Sequence, residues 1–183
     1  MSSHPHKPFP ILIGTRTVYQ GRVIEVRVDD IEVSNGLNVR RDVIKHPGAV
    51  VMLALDPEGR ILWVRQHRWA ARRELLELPA GTLEHNEAPE ACARRELVEE
   101  AGFAAETWRE LGGFYSAPGF CDEYLHAFLA TDLHAEYADG DEDEDITVEP
   151  LTLEESLARV DAGEIVDAKS LATLMLYLRT LGR

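Results

Sequence analysis

The sequence has few cysteines, few positive charges and no long apolar run. Its two cysteines, Cys92 and Cys121, have no spacing that suits a shared metal, which excludes a disulfide framework and a zinc cluster. We expect two reduced thiols in a cytoplasmic protein. No stretch approaches the roughly 18 consecutive apolar residues of a transmembrane helix, so no membrane partner is expected.

Positive charge is scarce as well. The 19 lysines and arginines are outnumbered by 33 aspartates and glutamates, which gives a formal net charge of −14. This imbalance disfavours binding to the phosphates of nucleic acids. A small anionic substrate would therefore need local arginines or a metal ion to hold it. The 183 residues are 45% hydrophobic, which is enough for the core of one domain.

The spacing of apolar residues predicts a mixture of strands and helices. Residues 22–33 alternate as a half-buried strand does, Asn35-Gly36 marks a hairpin turn, and residues 38–45 return. Thr152, with Glu155 three residues later, predicts a capping box. Further strands are predicted at 49–55, 61–66, 75–78, 107–115, 123–131 and 146–151, and further helices at 89–101, 152–162 and 168–181. This mixture indicates an α+β layered domain.

Three glutamates crowd one face of the helix predicted at residues 89–101. Glu96, Glu99 and Glu100 are related by steps of three and four residues, which places their side chains together. Carboxylates so close repel one another, and a hard divalent cation with oxygen ligands would remove the conflict. A solvated acidic face is the other explanation of such a run.

The residues around these glutamates favour a cation-binding site over a solvated acidic face. A strand-like run ends at Leu78, and Pro79-Ala80-Gly81 is predicted to break it as a turn. Pro89 suits the first turn of a helix, and Gly102 suits the position just past its end. Arg95 lies four residues before Glu99 and is expected to pair with it.

These positions together resemble the Nudix box, in which G, E, R-E-U, E-E and G-U stand at fixed distances and U is a bulky aliphatic residue. Leu97 fills the first U, and Phe103 fills the last as an aromatic departure. The resemblance implies the Nudix α/β/α sandwich with a mixed sheet. Every fixed letter of the box is present, at Gly81, Glu87, Arg95, Glu96, Glu99, Glu100 and Gly102.

Segments outside the box resemble the ADP-ribose pyrophosphatase branch of that family. Pro118, fifteen residues beyond Phe103, stands at about the distance of a proline that marks this branch. The implied activity is Mg²⁺-dependent hydrolysis of ADP-ribose to AMP and ribose 5-phosphate. The segments are VRQHR at 64–68, ELLELPAG at 74–81, SAPGF at 116–120 and DEDED at 141–145.

The resemblance also implies a metal site. Glu96 and Glu100 would be the principal ligands of Mg²⁺, for which Mn²⁺ could substitute. The backbone carbonyl of Ala80, together with Glu99 or Glu144, would complete the shell. Carboxylate oxygens and substrate phosphates are the ligands that Mg²⁺ prefers.

The catalytic residues implied by the resemblance are Glu142, Glu144, Glu99 and Arg95. In this branch the base that deprotonates water comes from an acidic loop, here residues 139–145, with Glu142 as the first choice and Glu144 as the second. The residues alone also fit a solvated acidic loop. Arg95 would orient a box glutamate through charge-assisted hydrogen bonds.

Substrate binding is expected to need arginines, because the substrate phosphates are anionic. Arg68 is the first candidate and Arg41 a further one. Pro118, Gly119 and Phe120 complete the predicted substrate-binding set.

The predicted organisation is a flexible tail at 1–10, an N-terminal antiparallel β extension at 11–46 and a Nudix domain at 47–183. Extended strands of this length are poorly suited to standing alone. In the resembling family such strands pack across a two-fold axis, so a homodimer is predicted.

The sequence is also compatible with two other functions. One is hydrolysis of a different nucleoside diphosphate derivative, such as GDP-mannose, NADH or FAD. The other is a non-catalytic regulator that binds ADP-ribose, since a fold does not by itself prove activity.

Overall fold

A computed structural model describes residues 10–136 and 146–182. These residues form two compact units. Of the described residues, the first unit contains 10–47 and 117–123, and the second contains 48–116, 124–136 and 146–182.

The first unit is a three-stranded antiparallel sheet in the order β1-β2-β3. Its strands are β1 (Ile11–Gln20), β2 (Glu25–Glu32) and β3 (Asn38–Lys45). The predicted hairpin turn is confirmed: Gly36 has a φ of 82°, a left-handed conformation that suits glycine, and the Asn35 side chain accepts a hydrogen bond from the Leu37 amide. Strand β1 precedes the first strand that the alternation pattern predicted.

The second unit has a four-stranded mixed sheet in the order β7-β4-β9-β8 and a three-stranded antiparallel sheet in the order β10-β5-β6. Strands β4 and β9 are parallel, and the other pairs are antiparallel. The elements are β4 (Ala49–Ala54), β5 (Ile61–Arg68), β6 (Arg73–Glu77), β7 (Ala80–Thr82), α1 (Pro89–Ala101), β8 (Phe103–Tyr115), β9 (Tyr124–Ala135), β10 (Ile146–Leu151), α2 (Leu153–Asp161) and α3 (Ala168–Thr180).

Strand β4 lies at the centre of the second unit, with all six residues buried. Val51 and Leu53 belong to an apolar cluster that includes Leu174 of α3. Val50 and Met52 belong to a second cluster that includes Leu97 of α1. Because side chains alternate along a strand, β4 carries helices on both faces, and this confirms the predicted α/β/α layering.

Helix α1 begins and ends as the sequence predicts. Pro89 occupies its first turn, and Gly102 follows it with a φ of 73° and donates its amide to the Val98 carbonyl at 2.9 Å. Ala93 and Leu97 are buried against the sheet, so the opposite side of the helix is left for polar residues.

One local prediction was wrong. Residues 79–81 do follow the end of a strand as predicted, since β6 ends at Glu77, but the predicted turn is wrong, because Ala80 and Gly81 lie in β7 and pair with Val51 and Val50 of β4. The chain continues into the sheet because its backbone groups pair with those of β4.

Among the described residues, no helix has the length and apolarity needed to cross a membrane.

Candidate active site

Strand β7 runs closely beside helix α1. The Ala80 amide donates a hydrogen bond to Oε2 of Glu100 at 2.9 Å. A Cβ atom built on Gly81 would lie 1.9 Å from Cδ of Glu96, which is far inside contact distance. Position 81 must therefore be glycine for the Glu96 carboxylate to lie against the strand backbone.

Arg95 links three carboxylates of the box. Its Nη1 donates to Oε1 of Glu96 and Oε2 of Glu99, both at 2.8 Å, so the predicted pairing with Glu99 is confirmed. Its Nε and Nη2 donate to the two oxygens of Glu87 at 3.1 and 3.2 Å. Glu87 also accepts the Glu84 amide at 2.9 Å, which ties the loop before α1 to the helix.

Hydrogen bonding within this network shifts the pKa of Glu87 and the pKa of Arg95 toward the charged forms. The hydrogen bond from Arg95 lowers the pKa of Glu87, and the hydrogen bond to Glu87 raises the pKa of Arg95. Cys92, one turn before Glu96, behaves differently, because burial raises the pKa of its thiol to about 12. Three formal negative charges, on Glu87, Glu96 and Glu99, thus surround one guanidinium.

The arrangement fits a divalent cation of a particular kind. Among the described residues, no three or more His, Cys, Asp and Glu side chains converge as a complete metal shell. Mg²⁺ needs no such cage, because proteins usually hold it with one or two carboxylates plus substrate phosphates and waters. The Glu96 carboxylate seated against Gly81, and Glu100 beside Ala80, supply hard oxygen donors of that number and type.

A second polar network lies at the end of β6. Glu77 is 2% exposed, and its Oε2 accepts hydrogen bonds from Nε and Nη2 of Arg68 at 2.9 and 2.7 Å. Nζ of Lys169, in the first turn of α3, lies 2.8 Å from the same oxygen. Burial by itself raises the pKa of Glu77, but the two cations outweigh it and the pKa is lowered.

Sequence reasoning named Arg68 but missed both Glu77 and Lys169. A signal for Glu77 was present, since it is an acidic residue inside the apolar run LLELPAG. A buried acid in such a run requires a partner. Lys169 gave no comparable signal, because it lies 92 residues further along the chain.

The structure distributes the predicted site residues over both units. Ala80, Arg95, Glu96, Glu99 and Glu100 come together in the second unit, which also holds Arg68. The first unit holds an exposed Arg41 on β3 and the exposed segment Pro118, Gly119 and Phe120. Glu142 and Glu144 lie outside the described residues.

Comparison with known proteins identifies the family. The model of the NUDIX domain matches residues 45–174. That range contains the whole box, from Gly81 to Phe103, and both polar networks. The chain belongs to the NUDIX family.

Individual relatives are similar over most of their length. The chain is 43% identical over 160 residues to an ADP-ribose pyrophosphatase of Bacillus subtilis (strain 168), with 86% of each chain covered. It is 40% identical over 169 residues to a methanol dehydrogenase activator of Bacillus methanolicus, with 91% of each chain covered. The crystal structure of an ADP compounds hydrolase has a TM-score of 0.85, covers 95% of both chains and is 23% identical, which shows the shared fold.

Proposed function

We propose that this protein hydrolyses the pyrophosphate bond of ADP-ribose to give AMP and ribose 5-phosphate. The observation that carries the proposal is the pairing of β7 with α1, where Glu96 and Glu100 meet the backbone of Gly81 and Ala80. The similarity to an ADP-ribose pyrophosphatase over 86% of the chain supports this choice of substrate.

Nudix hydrolases generally use divalent metals, and the proposed ion here is Mg²⁺, with Mn²⁺ as a substitute. Glu96, Glu100 and the Ala80 carbonyl would hold it, with Glu99 or Glu144 completing the shell. Bound there, Mg²⁺ would neutralise phosphate charge and lower the pKa of a water molecule. Arg95 restrains Glu96 and Glu99 through its hydrogen bonds, so these carboxylates are positioned in advance.

In the proposed reaction, a water oxygen forms a bond to one phosphorus while the bridging oxygen departs with the other phosphate. A carboxylate must accept the proton of that water. We assign this role to Glu142, with Glu144 as the second candidate, because both are in the acidic segment that resembles the base-bearing loop of the ADP-ribose branch.

Glu142→Gln should lower kcat about a thousandfold with little change in KM. Asp139→Asn serves as the control in the same segment, and an unchanged kcat for Glu142→Gln would reject the assignment.

Substrate phosphates are proposed to contact Arg68, whose guanidinium is oriented by Glu77 and whose side chain is 38% exposed. Arg41, Pro118, Gly119 and Phe120 are proposed as further substrate contacts. Their exposure is consistent with this role.

The substrate is tested by offering ADP-ribose, FAD, NADH and GDP-mannose to the protein with Mg²⁺ and separating the products by ion exchange. ADP-ribose should be cleaved fastest, to AMP and ribose 5-phosphate, and chelator should abolish the reaction. Faster cleavage of another compound would transfer the proposal to that substrate. Binding of ADP-ribose without cleavage would favour the regulator instead.

We also propose that the protein is a homodimer, formed through the N-terminal sheet. Strand β1 is exposed along nearly its whole length, and its large apolar side chains include Ile11, Leu12, Ile13 and Tyr19, which are 47–59% exposed. A strand edge with such side chains favours pairing with another chain.

The two free cysteines support a cytoplasmic setting, where thiols remain reduced.

Sedimentation equilibrium tests the dimer. The wild-type protein should have twice the mass of the 20.5 kDa chain. Leu12→Glu on β1 should shift it toward the monomer, whereas Leu37→Glu, which replaces an exposed leucine in the turn after β2, should not. A wild-type monomer, or equal effects of the two variants, would contradict the proposal.

A further inference from the structure

We propose that Lys169, in the first turn of α3, is a positioning residue for the phosphate-binding arginine of this enzyme. It would act through Glu77, which it contacts, and so determine how firmly Glu77 holds Arg68. This inference rests on the proposed function, in which Arg68 contacts a substrate phosphate.

Lys169 is itself firmly placed. Its ammonium lies 2.8 Å from Oε2 of Glu77 and 3.0 Å from Oδ1 of Asp167, and its side chain is 17% exposed. Asp167 is the N-cap residue of α3, and its Oδ1 accepts the Ser170 amide at 3.0 Å. The cap of the helix therefore fixes the position of the ammonium group.

The same turn of α3 also holds the strand that leads to β7. Ser170 is fully buried, and its Oγ accepts the Leu78 amide at 2.8 Å. The carbonyl of the next residue, Pro79, accepts the Met52 amide at 2.9 Å. Consequently, the backbone between Glu77 and Ala80 is anchored to α3 and to β4 before it reaches α1.

Lys169 influences the position of Arg68 through the charge balance at Glu77. One carboxylate oxygen is shared between Lys169 and Arg68, and these are the two cations that contact Glu77 among the described residues. A buried carboxylate is costly unless it is paired. Without Lys169, Glu77 would depend on Arg68 alone and would draw its guanidinium away from a substrate phosphate.

The test compares Lys169→Met with Lys169→Arg in the wild-type chain. Lys169→Met should raise KM for ADP-ribose about tenfold with a smaller change in kcat, because one charge-assisted hydrogen bond to phosphate is weakened. Lys169→Arg, which keeps a positive charge and N–H donors toward Glu77, should restore KM to within about twofold of wild type. Arg65→Gln is the matched control, since it removes a half-buried ion pair with Glu149 on the same sheet.

Direct binding of ADP-ribose in chelator, measured by calorimetry, should weaken by the same factor as KM. The inference is overturned if Lys169→Met and Arg65→Gln have the same KM, or if Lys169→Arg fails to restore it. If Lys169→Met does not fold, Lys169→Gln, which keeps a hydrogen-bond donor but no charge, takes its place, with the same two results deciding. Failure of the wild-type protein to cleave or bind ADP-ribose would instead reject the proposed function.

Discussion

Gly81 shows how a single position constrains the proposed site. Its Cα hydrogen faces the carboxylate of Glu96, and any side chain there would occupy the space of that carboxylate. The spacing of the box thus has a direct steric cause. The φ of Gly81 is not positive, so backbone conformation does not require glycine here. The close approach of the Glu96 side chain does.

Gly81→Ala should therefore damage activity more than folding. The new methyl group would displace Glu96, and a misplacement of about 1 Å in an active site can lower the rate on the order of a hundredfold. Steady-state hydrolysis of ADP-ribose measures this effect. Gly14→Ala, at a position where an added Cβ meets nothing within 4 Å, provides the control. Equal rates for Gly81→Ala and the control would contradict the steric account.

Contacts between neighbouring residues on one helix could be predicted from the sequence, whereas contacts between distant elements could not. The pairing of Arg95 with Glu99 follows from their spacing on a helix. The contact between Glu77 and Lys169 depends on how α3 docks against the sheet, which no local pattern encodes.

At the scale of the element, helix α2 has the capping box that its sequence predicts. Oγ1 of Thr152 accepts the Glu155 amide, and the Glu155 carboxylate accepts the Thr152 amide at 2.8 Å. Two backbone donors at the start of the helix are thereby satisfied.

Thr152→Ala should lower the free energy of unfolding by about 1 kcal/mol, the usual cost of removing such a cap. Urea denaturation followed by circular dichroism measures the change. Glu154→Gln alters the same turn without touching the cap and should have a smaller effect. A larger loss for Glu154→Gln than for Thr152→Ala would show that the cap contributes little.

The strands illustrate where pattern reading succeeds and fails. Strands β3 and β10 have the predicted bounds, because clear breaks in the sequence flank them: Asn35-Gly36 and Pro47-Gly48 around β3, and the acidic run and Thr152 around β10. Strand β1 lies within the β extension predicted at 11–46, but its bounds were not predicted, since it has almost no buried face to impose an alternation. Strand β7 was missed because its three residues are too short to carry a period, and pairing with β4 defines it.

At the scale of the whole molecule, stability should depend on pH through buried carboxylates. The pKa of Glu77 is lowered in the folded protein, because Arg68 and Lys169 outweigh the effect of burial. As pH falls, the unfolded chain therefore binds this proton first. The stability from Glu77 is present above its unfolded pKa of about 4.3 and is lost as pH falls through the folded pKa.

Unfolding in urea at a series of pH values from 6 to 3 tests this dependence. The wild-type free energy of unfolding should fall more steeply below about pH 4.3 than that of Glu77→Gln, which has no carboxylate to protonate. The difference in slope should reach at most about 1.4 kcal/mol per pH unit, the limit for one proton. Parallel curves would contradict the assignment of a lowered pKa to Glu77.

The proposed hydrolysis depends on the box carboxylates as ligands of a metal ion. The most direct measurement is the rate of ADP-ribose cleavage with Mg²⁺ by the wild type, Glu100→Gln and Glu90→Gln. Glu90 lies on the same helix but forms an exposed ion pair with Arg94, so its variant should keep the wild-type rate. Glu100→Gln should lose at least about a hundredfold in kcat, since it removes a ligand of the ion that stabilises the transition state. Wild-type turnover by Glu100→Gln, or full wild-type activity in chelator, would contradict the account.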